Sequence, residues 1–71
     1  MTLRELREKR SMTQMEIAVA VEVSLPTVGA WEKGTSRPRP IHVRKLATLF
    51  GVSIEEMQAV LDTTAQSASS S

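Results

Sequence analysis

Helix starts are written into this chain four times. Thr2-Leu3-Arg4-Glu5 and Thr13-Gln14-Met15-Glu16 both have the form of a capping box, and Ser53-Ile54-Glu55-Glu56 is its serine version. In each, the hydroxyl can accept from the backbone N–H three residues on, while the glutamate reaches back to the N–H of the cap residue. Ser24, followed by Thr27, is a fourth candidate N-cap. An apolar pair flanks every one of these caps at staple spacing: Met1/Leu6, Met12/Ile17, Val23/Val28 and Val52/Met57. Four such starts within 71 residues confine the chain to short helices, because each start requires the preceding helix to have ended.

The stops agree with the starts. Gly34 and Gly51 sit where a left-handed residue would close a helix, and Pro38 and Pro40 confine Gly34–Arg39 to a loop. Pro40 suits the first turn of the next helix. The predicted architecture is all-α, a compact bundle of five helices at about 2–10, 14–21, 25–33, 40–50 and 54–62. Residues 1–62 would form one domain, and the Ser-rich segment 63–71, which has no apolar period, is expected to be a disordered tail. Apolar residues at helical spacing supply the core: Leu3 and Leu6, then Ile17, Ala18 and Val21, then Val28 and Trp31. Val43, Leu46, Ala47 and Phe50 follow i, i+3, i+4, i+7, and Val52, Ile54, Met57 and Leu61 complete the set. Trp31 and Phe50 are the only aromatic residues, which places Trp31 centrally in the expected core.

Composition narrows the chemistry. There is no cysteine, so neither disulfides nor thiolate metal sites are available, and the single histidine, His42, has no ligand partners at metal spacing. Asp62 is the sole aspartate, and nothing forms a nucleophile, base and orienting group, so no enzyme, cofactor or metal site is expected. No apolar run approaches the ~18 residues of a membrane span. The charged N-terminus is unlike a signal peptide, and the expected location is the cytoplasm, with the nucleoid.

The net charge of +1 hides two opposed regions. All nine Lys and Arg lie within residues 1–45 against five Glu, whereas residues 46–71 carry only Glu55, Glu56 and Asp62. Between residues 33 and 54 stand Lys33, Arg37, Arg39, Arg44 and Lys45 without an acid, which points to an anionic partner such as nucleic acid.

Only Glu22 to Ser24 separate the second and third helices, and so short a connection forces a steep crossing, as in a helix-turn-helix. Steep crossing needs a small contact residue, which Ala18 supplies, and Val28 is the apolar residue that locks the pair. Residues Leu3 to about Met57 resemble the Cro/C1-type helix-turn-helix domain of lambdoid phage repressors and bacterial regulators, the XRE family. The resemblance is carried by Leu3-Arg4-Glu5-Leu6-Arg7, Met12-Thr13-Gln14-Met15-Glu16-Ile17-Ala18, Val23-Ser24-Leu25-Pro26-Thr27-Val28, Trp31-Glu32-Lys33-Gly34 and Leu46-Ala47-Thr48-Leu49-Phe50-Gly51-Val52-Ser53.

That resemblance implies a sequence-preferring regulator of double-stranded DNA, most simply a repressor, with a lambda-repressor-like fold. Gln14 matches the glutamine that meets a phosphate from a helix N-terminus, where free donors and the positive end of the dipole favour anions. Arg7 and Glu32 match a pair that joins the first helix to the end of the third. The base-facing positions on the third helix are Ser24, Leu25, Pro26, Thr27, Gly29 and Ala30. Here the chain departs from the glutamine-rich readers of the family. Only Thr27 and Ser24 offer hydrogen bonds, so direct readout should be thin, and shape readout of an A·T-leaning site correspondingly larger. Gly29 could either permit close approach of DNA or be a packing concession. Glu22 stands where the family usually has glycine. Lys33, Thr35, Ser36, Arg37 and Arg39 are the candidates for phosphate and minor-groove contact, with the choice between the two loop arginines open. Arg44 and Lys45 are weaker phosphate candidates.

A domain this small has a small footprint, so a homodimer on a palindromic operator is expected. By resemblance its dimer surface would include Leu49, Met57, Val60 and Leu61. The alternative reading is a protein-interaction module on the same fold, such as the antitoxin or anti-repressor partner of another protein. Val19 and Ala20, which replace the charged residues usual on the second helix, support it, extended by Leu25, Pro26 and Ala30.

Overall fold

Every predicted cap is made. In the computed structural model, which describes residues 1–69, α1 (Leu3–Lys9) and α2 (Gln14–Val21) open on complete capping boxes, Thr2 with Glu5 and Thr13 with Glu16. α3 (Leu25–Lys33) starts at Ser24, whose Oγ accepts from the Thr27 N–H at 3.3 Å. α4 (Pro40–Phe50) lacks a side-chain cap and begins instead with Pro40, whose missing N–H would have had no partner there. α5 (Ile54–Ser69) opens with reciprocal bonds between Ser53 and Glu56 at 3.0 and 3.1 Å. Among the described residues there is no strand.

The first four helices end the same way. The residue after a left-handed position donates to a carbonyl five residues back: Met12 to Arg7, Val23 to Ala18, Thr35 to Ala30 and Val52 to Ala47, all at 3.0–3.1 Å. Gly34 and Gly51 hold two of the left-handed positions as the sequence predicts, and Ser11 (φ 55°) and Glu22 (φ 62°) hold the others. A Cβ in this region costs roughly 1 kcal/mol. At Glu22 the only return is an exposed ion pair with Lys45 at 3.4 Å, and such pairs contribute little. Glu22→Gly is therefore expected to stabilise the domain by about 0.5–1 kcal/mol, read as a later urea midpoint.

The helices enclose one core. Leu3, Leu6, Ile17, Ala18, Val21, Val28, Trp31, Val43, Leu46, Ala47 and Phe50 are buried as their spacing predicts, joined by Met57 and Leu61 of α5. Those last two meet the core expectation and correct the one for a dimer surface, whereas Ile54, expected in the same core set, is exposed at the start of α5. Met57 and Leu61 lie inside the single chain and are not available as a surface for a second copy. α5 packs against α1, α3 and α4 together, and so needs a wider apolar face than one neighbour would require.

A second correction concerns the chain after residue 62. Residues 63–69, expected to be disordered, continue α5; residues 70 and 71 lie outside the described residues. The reason is Thr64, which is buried. Its Oγ1 accepts from the Leu3 N–H at 2.8 Å and donates to the Val60 carbonyl at 2.8 Å. A helix N-terminus has N–H groups with no partner inside the helix, and Thr64 satisfies one of those of α1 while its hydroxyl proton stays within α5. No helix among the described residues is long and apolar enough to cross a membrane.

Candidate nucleic-acid interface

α2, the three residues 22–24 and α3 form the helix, short turn and helix that the sequence predicts; the two helices are in contact, and Ala18 and Val28 are both buried. What orients this pair relative to α1 is a buried polar knot. Glu32, near the end of α3, accepts from Arg7 Nε at 2.6 Å, from Arg7 Nη2 at 3.3 Å and from Gln14 Nε2 at 2.9 Å. Arg7 Nη1 also donates to the Met12 carbonyl at 3.0 Å. The side chains of Arg7 and Glu32 are only 14% and 6% exposed, so this is a partly desolvated, two-point guanidinium–carboxylate pair. Hydrogen bonding to Glu32 raises the already high pKa of Arg7, against the opposing effect of burial. One carboxylate thus ties together α1, the first residue of α2 and the last turn of α3. Gln14 belongs to the knot, a contact that no local spacing marks: its amide spends one N–H on Glu32, 18 residues away.

The N-terminal face of α3 is exposed at Ser24, Leu25 and Pro26 and half-buried at Thr27, Gly29 and Ala30. Ser24 Oγ and Thr27 Oγ1 lie 2.7 Å apart, so one of their two protons is shared between them and the other is left for a different acceptor. Gly29 is decided between its two readings as far as packing goes. A Cβ built there meets nothing within 4 Å, so the glycine is no concession to neighbours in its own chain.

In loop 34–39, Gly34 is left-handed, Thr35 Oγ1 donates to the Ala30 carbonyl at 3.3 Å, and Pro38 is buried, pinning the loop to the core. Ser36, Arg37 and Arg39 are exposed, as is Lys33 at the end of α3. The two arginines differ in a way the sequence did not reveal. Arg37 Nη2 lies 2.7 Å from Asp62 Oδ1 on α5, whereas Arg39 makes no ion pair among the described residues. The residues are 25 apart in sequence, and no local pattern marks such a contact. His42 packs beside Trp31, ring centroids 5.5 Å apart, which accounts for the lone histidine as a packing residue.

Elsewhere, Ala20, Ile41, Arg44, Lys45, Thr48 and Leu49 line an open groove of about 470 Å³ between α2 and α4. Leu49 and Val60, the other two residues expected at a dimer surface, are half-buried against the core. Among the described residues no group of three His, Asp or Glu side chains could hold a metal ion.

Architecture and site together define a helix-turn-helix domain, and a helix-turn-helix family model matches residues 3–57. The chain belongs to the Cro/C1-type (XRE) helix-turn-helix family. It is 42% identical over 55 residues to the cryptic phage CTXphi transcriptional repressor RstR of Vibrio cholerae, covering 78% of this chain and 50% of that protein. It is 31% identical over 55 residues to the HTH-type transcriptional regulator DdrOP3 of Deinococcus deserti, covering 78% of this chain and 43% of that one. The chain thus spans about half the length, or less, of these relatives. No solved structure matches it.

Proposed function

We propose that the chain is a sequence-preferring double-stranded DNA-binding transcriptional regulator, acting in the cytoplasm as a repressor on a palindromic site. α3 enters the major groove by its N-terminal residues, while Gln14 and loop 34–39 meet the phosphate backbone and the minor groove. The observation that carries this reading is the Glu32 knot. It holds α2 and α3 in one orientation through buried bonds, yet leaves the start of α3 and the basic loop facing outward. The basic excess between residues 33 and 45 falls on that loop and the helix after it. Two copies would place their α3 helices one DNA turn, about 34–36 Å, apart. With Met57 and Leu61 internal, the surface left for a second copy is Leu49, Ile54 and Val60.

Selection of duplexes bound by the purified chain tests the reading. Recovery of an A·T-leaning palindrome is expected, with affinity falling steeply as salt rises. Absence of binding to any duplex at about 50 mM salt would overturn it. Gly29→Ala sharpens the test, because the fold has room for the methyl. It should stabilise the domain by about 0.5–1 kcal/mol through helix propensity while weakening binding to the selected duplex. Unchanged affinity would remove Gly29 from the contact surface.

A second reading is favoured by α2, whose outer face exposes Met15 and Val19, the latter by 70%. A partner protein seated there would give a stable heterocomplex formed without DNA, and this would be detected as co-elution of the purified components.

A further inference from the structure

The loop arginines are chemically equivalent in the sequence and unequal in the structure. Arg37 is engaged by a carboxylate, and among the described residues Arg39 is not. Asp62 lies on α5 between two buried residues, Leu61 and Thr64, so its carboxylate is carried on a fixed element. Arg37 is flanked by buried Pro38, so the backbone from which its side chain extends is fixed as well. The pair itself is open to water, the side chains being 51% and 60% exposed. A bond of this kind forms a single charge-assisted contact, is screened by salt and yields to a competing anion. A DNA phosphate is such an anion, with the same demand for guanidinium donors.

We propose that Asp62 is an affinity-setting residue, a built-in competitor that occupies the guanidinium of Arg37 and must be displaced by a phosphate when DNA binds. The inference rests on the DNA reading above. It concerns a residue beyond the segment 3–57 that the family shares, and so describes a device of this chain. Binding at Arg37 is an exchange of one anion for another, which removes part of the gain the arginine would otherwise bring. Arg39, with no such partner among the described residues, makes its contact without that exchange.

The test is a double-mutant cycle on a duplex recovered by the selection, with far-UV circular dichroism to show that each variant is folded. Asp62→Asn should tighten binding about two- to fivefold, the range open to an exposed ion pair, and should steepen the salt dependence. Arg37→Ala should weaken binding. In the Arg37→Ala background, Asp62→Asn should have no further effect, because the competitor has lost its target. If Asp62→Asn tightens binding equally in both backgrounds, the carboxylate acts only through the general field and the proposal fails. Weaker or unchanged binding by Asp62→Asn alone also overturns it. If Arg37→Ala binds as the wild type does, Arg37 is no DNA contact and the proposal falls, while the wider DNA reading stands. Only a wild-type chain that binds no duplex overturns that reading.

Discussion

Glu32→Ala is expected to destabilise the domain by about 3–5 kcal/mol, the cost of leaving one member of a buried ion pair without its partner. Glu32 accepts three hydrogen bonds, so its removal strands the Arg7 guanidinium, which keeps only the Met12 carbonyl, and frees the Gln14 amide. A domain of this size has a total stability on the order of 5–10 kcal/mol, so the variant should sit at the edge of unfolding at room temperature. Urea titration followed by far-UV circular dichroism would measure the loss. The double variant Arg7→Met with Glu32→Leu should recover much of it, because no charge is then left buried. A loss below about 1 kcal/mol for Glu32→Ala would mean that the knot is solvated and does not orient α3. The pH dependence has a definite sign. A raised pKa on Arg7 contributes stability that is fully present below its unfolded value and is lost only as pH rises through the higher folded one. That loss lies far on the alkaline side, so the contribution of Arg7 should persist through neutral and moderately alkaline pH.

Trp31→Ala is the second large effect, expected to cost about 3–5 kcal/mol through lost burial and the cavity left behind. Trp31 is 3% exposed and projects from α3 into the core with Val28, beside His42. It is the only tryptophan, so the variant loses its fluorescence reporter and must be followed by circular dichroism. The same side chain supports the inner face of the helix whose outer face is proposed to read DNA. Loss of duplex binding in this variant should therefore track the unfolded fraction, whereas Gly29→Ala separates the two by strengthening one and weakening the other. A loss under about 2 kcal/mol would show that neighbouring side chains collapse into the space.

The misread parts of this chain share a cause. Thr64 counts as polar in any apolar pattern, yet it is buried because a free N–H of α1, some sixty residues away in sequence, waits for its hydroxyl. Met57 and Leu61 fit both a core and a dimer surface by sequence, and they are core because α5 meets three other helices. The strained Ser11 and Glu22 were legible only in part. The spacing of starts required a turn at each, and the glycine usual in the family marks the position of Glu22, but nothing local marks Ser11 as left-handed. Asp62 is the sole aspartate of the sequence, and no local pattern marks its bond to Arg37, which spans 25 residues between a loop and a helix.

What the amino-acid order determined by itself is held by bonds within about five residues. That covers the capping boxes at Thr2, Thr13 and Ser53, the cap at Ser24, the left-handed closures at Gly34 and Gly51, and with them the number and order of the helices. Those interactions are local, so a residue type and a spacing suffice to specify them. Only the tertiary structure decided that Met57 and Leu61 are closed to a second copy, how far α5 runs, and which loop arginine has no ion-pair partner among the described residues. Each of these depends on groups brought together from distant parts of the chain, where burial and charge are properties of the assembled neighbours and not of the residue alone.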